Sequence, residues 1–154
     1  MPTLSSRHFG PVEYQSDAVL EFPAGLPGFE QERSFVPIEH ASSKPIVFLQ
    51  SLTRPELCFI TLPVRVVQPD YGLAIPAEDL RTLGLAEARQ PEIGSEVLCL
   101  AIVSVTEGKL PTANLLAPIV VNLRTRRGVQ AIQEDSAYSH QHPLLAASRE
   151  EACS

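Results

Sequence analysis

Four histidines, three cysteines and one run of arginines are the side chains best equipped for chemistry in this chain, and their spacing limits what they can do. His8 and His40 stand apart, and His140-Gln-His142 is a single pair with no helical i, i+4 partner and no cysteine pair nearby. Metal-ligand spacing is therefore missing, and no metal centre is expected. Gly-x-Ser-x-Gly, a phosphate-cradling glycine loop and a dinucleotide fingerprint are also absent, which removes the common nucleophile and cofactor signatures. No enzyme and no cofactor are expected; a hydrolase would need a buried carboxylate pair or a His-Cys pair in a deep pocket.

Cys58, Cys99 and Cys153 are odd in number and widely spaced, and the first two lie in apolar runs where a thiol acts as a small hydrophobe. A reducing cytoplasm fits them. The N-terminus MPTLSSRHFG lacks the order of a signal peptide, and no run reaches the roughly 18 apolar residues of a membrane span. Arg124-Thr-Arg126-Arg127 is the basic cluster. On a small barrel it suggests an oligonucleotide-binding module, with a solvated hairpin turn as the plainer reading. The chain has no Trp, six Phe and three Tyr, and a net charge of −6, which opposes the phosphate attraction behind nucleic-acid affinity. A basic or amphiphilic protein suits that charge better.

These groups must be held by a framework with little room for long helices, because fourteen prolines punctuate the 154 residues. Short β-branched and aromatic runs alternate with Gly, Pro, Ser and Asn clusters. This pattern predicts strands over residues 10–14, 18–22, 34–38, 46–51, 57–62, 71–75, 97–106, 116–123 and 128–133. Ile46-Val-Phe-Leu and Val97-Leu-Cys-Leu-Ala-Ile-Val are continuous rather than alternating, so both their faces should be covered, as in central strands. One helix is predicted over residues 77–83, with Pro76 near its start, Glu78 and Asp79 in its first turn and Gly84 at its end. The expected architecture is mainly β: one small antiparallel β-barrel-like domain with one short helix, covering residues 1–144. Residues 145–154 are small, charged and terminal, and a mobile tail is expected there.

Two stretches are dense in turn formers. Phe22-Pro-Ala-Gly-Leu-Pro-Gly-Phe-Glu30 sets two prolines and two glycines between two phenylalanines, so the chain must turn tightly while both rings seek cover. It reads as a packed structural turn or as a binding loop. Thr112-Ala-Asn114 precedes an apolar run, and its side chains can bond nearby backbone to make a corner or offer contacts to a partner.

The sequence FPAGLPGFE resembles the N-terminal signature of the FliW family. Further pieces similar to the family pattern follow in order: Phe48-Leu-Gln-Ser51, Leu57-Cys-Phe59, Pro69-Asp-Tyr71, Thr112-Ala-Asn-Leu-Leu-Ala-Pro-Ile119 with Val120-Val-Asn122, Gly128-Val-Gln130, and Tyr138 with His142-Pro-Leu144. The resemblance spans about residues 9 to 144. Two departures stand out: Thr61-Leu-Pro-Val64, where relatives often carry an acidic residue before the proline, and Gln141, where a basic residue is common. What the resemblance implies is a cytoplasmic adaptor with two mutually exclusive protein partners, newly made flagellin and the RNA-binding translational regulator CsrA. It implies neither nucleic-acid nor membrane binding. By motif position and expected exposure, the partner-binding candidates are Phe29, Glu30, Glu32, Thr112, Asn114, Glu134, Asp135 and Tyr138, on a chain expected to be a monomer alone. An exposed strand edge is a candidate for β-augmentation by flagellin.

Overall fold

The computed structural model of the chain describes residues 1–133 and 136–144. In chain order the strands are β1 (Thr3–Ser6), β2 (Gly10–Glu13), β3 (Leu20–Glu21), β4 (Ser34–Ile38), β5 (Val47–Ser51), β6 (Cys58–Pro63), β7 (Val97–Ser104), β8 (Thr112–Ala113), β9 (Ile119–Asn122), β10 (Gly128–Gln130) and β11 (His142–Pro143). Two helical pieces lie between β6 and β7: a single turn α1 (Val64–Val67) and the expected helix α2 (Ala77–Leu83). Gly84 ends α2 at φ 74°, a conformation that costs glycine little.

The main sheet runs β10-β9-β7-β6-β5-β4-β3, all neighbours antiparallel. The long β7 serves two partners, pairing through residues 97–100 with β9 and through residues 103–104 with β8, which in turn carries β11. A parallel bridge joins Glu21 to Arg127, and the Glu21 N–H donates to the Arg126 carbonyl at 2.9 Å. The sheet thus curls until its first and last strands touch, which makes it barrel-like.

Both faces of the sheet are covered. Inside the curl, Leu20, Phe22, Leu26, Phe35, Leu49, Leu100, Ile119 and Val121 form one buried cluster. The opposite face is capped at one end by the β1–β2 hairpin, whose Leu4 meets Val36 and Ile38, and at the other by Val64, Tyr71, Ile75, Leu80 and Leu83 on Cys99, Ala101 and Val120. This double cover explains the continuous apolar runs of β5 and β7, which are interior strands.

Residues 71–75 are not a strand, contrary to the expectation from their pattern. Their backbone is held by side chains instead. The Gly72 N–H donates to Tyr138 Oη at 2.7 Å, the Ala74 N–H to Gln133 Oε1 at 2.7 Å and the Ile75 N–H to Gln90 Oε1 at 2.6 Å, while Gln90 Nε2 donates back to the Ile75 carbonyl at 3.1 Å. Other expected strands shorten: residues 16–18 form a 3-10 turn, so β3 keeps two residues, and β10 ends at Gln130. Strand β1 and the two-residue β8 and β11 go beyond the expected set. The expected domain end at residue 144 meets the last described residue, and the tail over 145–154 lies outside the described residues.

Candidate functional site

The loop after β3 is buried at its start and exposed at its end. Phe22 is fully buried, edge-on to Phe35 at 5.6 Å between centroids, and Leu26 is buried beside it. The Gly25 N–H closes a turn on the Phe22 carbonyl at 2.8 Å. Gly25 sits at φ +67°, and a Cβ there would lie 2.5 Å from the Glu30 carbonyl oxygen, so only glycine lets the two arms of the loop approach. From this core the motif turns outward. Phe29 is half-buried, edge-on to Phe59 at 5.5 Å with the Arg54 guanidinium 6.0 Å above its ring. Glu30 is exposed, and its carboxylate accepts the Gly28 N–H at 2.9 Å, which holds it below the usual carboxylate range. Glu32 accepts the Thr53 hydroxyl at 2.9 Å and lies 3.9 Å from Arg54.

Beside this loop the barrel seam opens into a cleft of about 260 Å³. Its walls are Ala24, Gly25, Pro27 and Glu30 from the loop, Glu78, Asp79 and Thr82 from α2, and Gly128–Gln130 from β10. Gly128 is required there, since a Cβ would stand 2.6 Å from the Phe22 ring. A second hollow of about 210 Å³ lies by Arg89, Glu96 and Arg124. Arg89 binds Glu96 through two bonds of 2.7 and 2.8 Å, which together with the Glu92 N–H pull the Glu96 carboxyl down to about 2.

The remaining candidates lie elsewhere. Thr112 pairs with Ser104 and Pro143 in the β7–β8–β11 ladder. Asn114 Oδ1 accepts the Ala117 N–H at 2.9 Å, which makes it a corner residue. Tyr138 stacks on Tyr71 at 4.2 Å while its hydroxyl accepts the Gly72 N–H. Thus Phe29, Glu30 and Glu32 gather by the signature loop, Thr112, Asn114 and Tyr138 belong to the cover over the opposite face, and Glu134 and Asp135 lie outside the described residues. Arg124, Arg126 and Arg127 are exposed on the β9–β10 turn, with Arg126 at φ 64° and the Arg127 guanidinium donating to the Thr82 carbonyl at 3.3 Å. Sequence reasoning missed three buried amides: Gln50, which bonds Ser6 and the turn before β6; Asn122, whose Nδ2 donates to the Leu83 carbonyl at 2.7 Å; and Gln133. Polar residues inside or next to apolar runs were the available signal.

Burial pushes the Cys99 thiol up to about 12 and the Cys58 thiol to about 11, so neither is a thiolate at neutral pH. Among the described residues, no group of three or more His, Cys, Asp or Glu is gathered as metal ligands would be, and no helix is long and apolar enough to cross a membrane. What the site offers is surface chemistry: carboxylates, a half-buried aromatic ring and a cleft beside a strand.

Comparison with known proteins places this architecture. The family model described as "FliW protein" matches residues 3–144. The chain is 34% identical to the flagellar assembly factor FliW of Syntrophomonas wolfei subsp. wolfei over 88% of this chain and 84% of that protein. It is also 34% identical to the factors of that name from Heliobacterium modesticaldum (94% and 92%) and Bacillus licheniformis (92% and 95%). A crystal structure of the flagellar assembly factor FliW superposes with a TM-score of 0.81 at 28% identity, covering 95% of this chain and 99% of that one. The curled sheet, the signature loop and these matches agree, and the chain belongs to the FliW family.

Proposed function

We propose that this chain is a non-catalytic cytoplasmic adaptor that binds newly made flagellin and the translational regulator CsrA one at a time. Free adaptor holds CsrA off its messenger RNA. Flagellin that accumulates before secretion captures the adaptor, and the released CsrA represses flagellin translation. The switch is partner exchange by mass action, with no chemical step.

The observation that carries this reading is the family match along the whole described domain, residues 3–144. The net charge of −6 supports it, because an acidic surface attracts a basic RNA-binding protein and repels RNA brought close to it. Phe29, Glu30 and Glu32 are the proposed contacts at the signature loop, Thr112, Asn114 and Tyr138 those of the second region, and Glu134 and Asp135 are proposed by their place in the sequence alone. The test is gel filtration of the purified protein with the CsrA and flagellin of its own organism, pairwise and as a three-way mixture. Two binary complexes and no ternary complex are expected; failure to bind either protein defeats the reading, and a stable ternary complex defeats mutual exclusion.

A further inference from the structure

Strand β10 is paired along its length with β9 and meets β3 on its other side at a single bridge. The Asn122 N–H donates to the Arg127 carbonyl at 2.9 Å and the Ala131 N–H to the Pro118 carbonyl at 2.9 Å, in the same register that sets Val129 opposite Val120. Bonded and non-bonded pairs alternate along an antiparallel ladder. Residues 127, 129 and 131 therefore turn their backbone groups toward β9, while Gly128 and Gln130 turn theirs the other way, into the seam. Strand β3 is the neighbour on that side, and it reaches across at one parallel bridge, Glu21 to Arg127, with the Glu21 N–H on the Arg126 carbonyl. It then peels away, because the Phe22 N–H turns to the Arg33 carbonyl at 2.7 Å. The Gly128 N–H closes the parallel bridge on the Glu21 side, whereas the Gly128 C=O and the N–H and C=O of Gln130 are left with no backbone partner among the described residues.

Facing these groups is the 260 Å³ cleft, with Ala24, Gly25 and Pro27 as an apolar wall and Glu30 and Glu78 at its margins. An edge left open beyond the β3 bridge, with one donor and two acceptors at strand spacing, is a template for one more strand. The acidic margins select its charge. Two arginines stand near these margins, Arg127 donating to the Thr82 carbonyl at 3.3 Å and Arg33 to the Glu30 carbonyl at 3.5 Å, and neither is bonded to the carboxylate of Glu30 or Glu78.

We propose that an extended, positively charged segment of a partner protein docks in the seam as an added strand on β10, its Lys or Arg side chains reaching Glu30 and Glu78. This rests on the adaptor reading and assigns the seam to the RNA-binding regulator CsrA, since a protein that grips RNA phosphates must carry positive charge.

The test is amide hydrogen exchange on the full chain, alone and with the CsrA of its own organism, beside affinity measurements on Glu30→Lys/Glu78→Lys. Protection of the Gln130 amide is expected on CsrA addition, together with at least about tenfold weaker CsrA binding by the double variant. Flagellin binding should be retained. Glu30 braces its own loop, so the single variant Glu78→Lys, on an exposed helix position, serves as the second reading and should weaken CsrA binding alone. Tight CsrA binding with an unchanged Gln130 amide and wild-type affinity in both variants would overturn the seam assignment and leave the adaptor reading standing. Protection of the seam by flagellin instead would overturn the assignment of partner. Absence of any CsrA binding would end both.

Discussion

Residues 71–76 and residues 128–130 both run beside the sheet without a full set of neighbouring strands, yet they end in opposite states. The first stretch has no regular structure, but its amides at Gly72, Ala74 and Ile75 are bonded to Tyr138, Gln133 and Gln90. The second is a regular strand, but beyond its one bridge to β3 the Gly128 C=O and both backbone groups of Gln130 face an open seam unpaired. Regular structure and saturated hydrogen bonding are thus separate properties here. Long-range side chains lock the irregular stretch, and the regular strand is the part left able to accept a partner.

Breaking the seam side should cost most. Gly25→Ala adds a Cβ 2.5 Å from the Glu30 carbonyl oxygen at φ +67°. Left-handed strain and overpacking together predict a loss of about 2–5 kcal/mol in a denaturant titration. The largest effect on the locked side is expected from Gln133→Ala, which strips the partner from the Ala74 N–H: a loss of about 1–3 kcal/mol, with faster exchange at that amide. Tyr138→Phe keeps the stack on Tyr71 and removes the acceptor for the exposed Gly72 N–H, so about 0.5 kcal/mol is expected, read as faster exchange at Gly72. The smallest effect belongs to Glu96, which lies in neither region. Its folded pKa is lowered, so the stability it adds is present above 4.5 and is lost as pH falls from 4.5 towards about 2. The melting-temperature difference between wild type and Arg89→Ala should shrink across that window, while the Glu92 N–H retains part of the shift in the variant.

Much of the fold was legible from local pattern. The unbroken apolar runs marked β5 and β7 as interior strands, and Pro76 with Gly84 bracketed α2 within its observed limits. Residues 71–75 misled because Gln90, Gln133 and Tyr138 reach them from 15, 59 and 66 residues away, a distance that no local pattern encodes. β1 was hidden by its serines, since Ser6 points inward to Gln50 Oε1 at 2.8 Å instead of outward to water. Within one motif, Phe22 is core and Phe29 is half-exposed, a division that depends on where Phe35 and Phe59 stand in the finished sheet. The seam was least legible, because the direction in which Gly128 and Gln130 point follows from the β9 register.

This acidic protein is proposed to work by holding a basic RNA-binding partner. Calorimetric titration with the CsrA of its own organism, at low and at high salt, tests it most directly. Saturable binding that weakens as salt rises is predicted. No heat of binding at either salt concentration would contradict the claim.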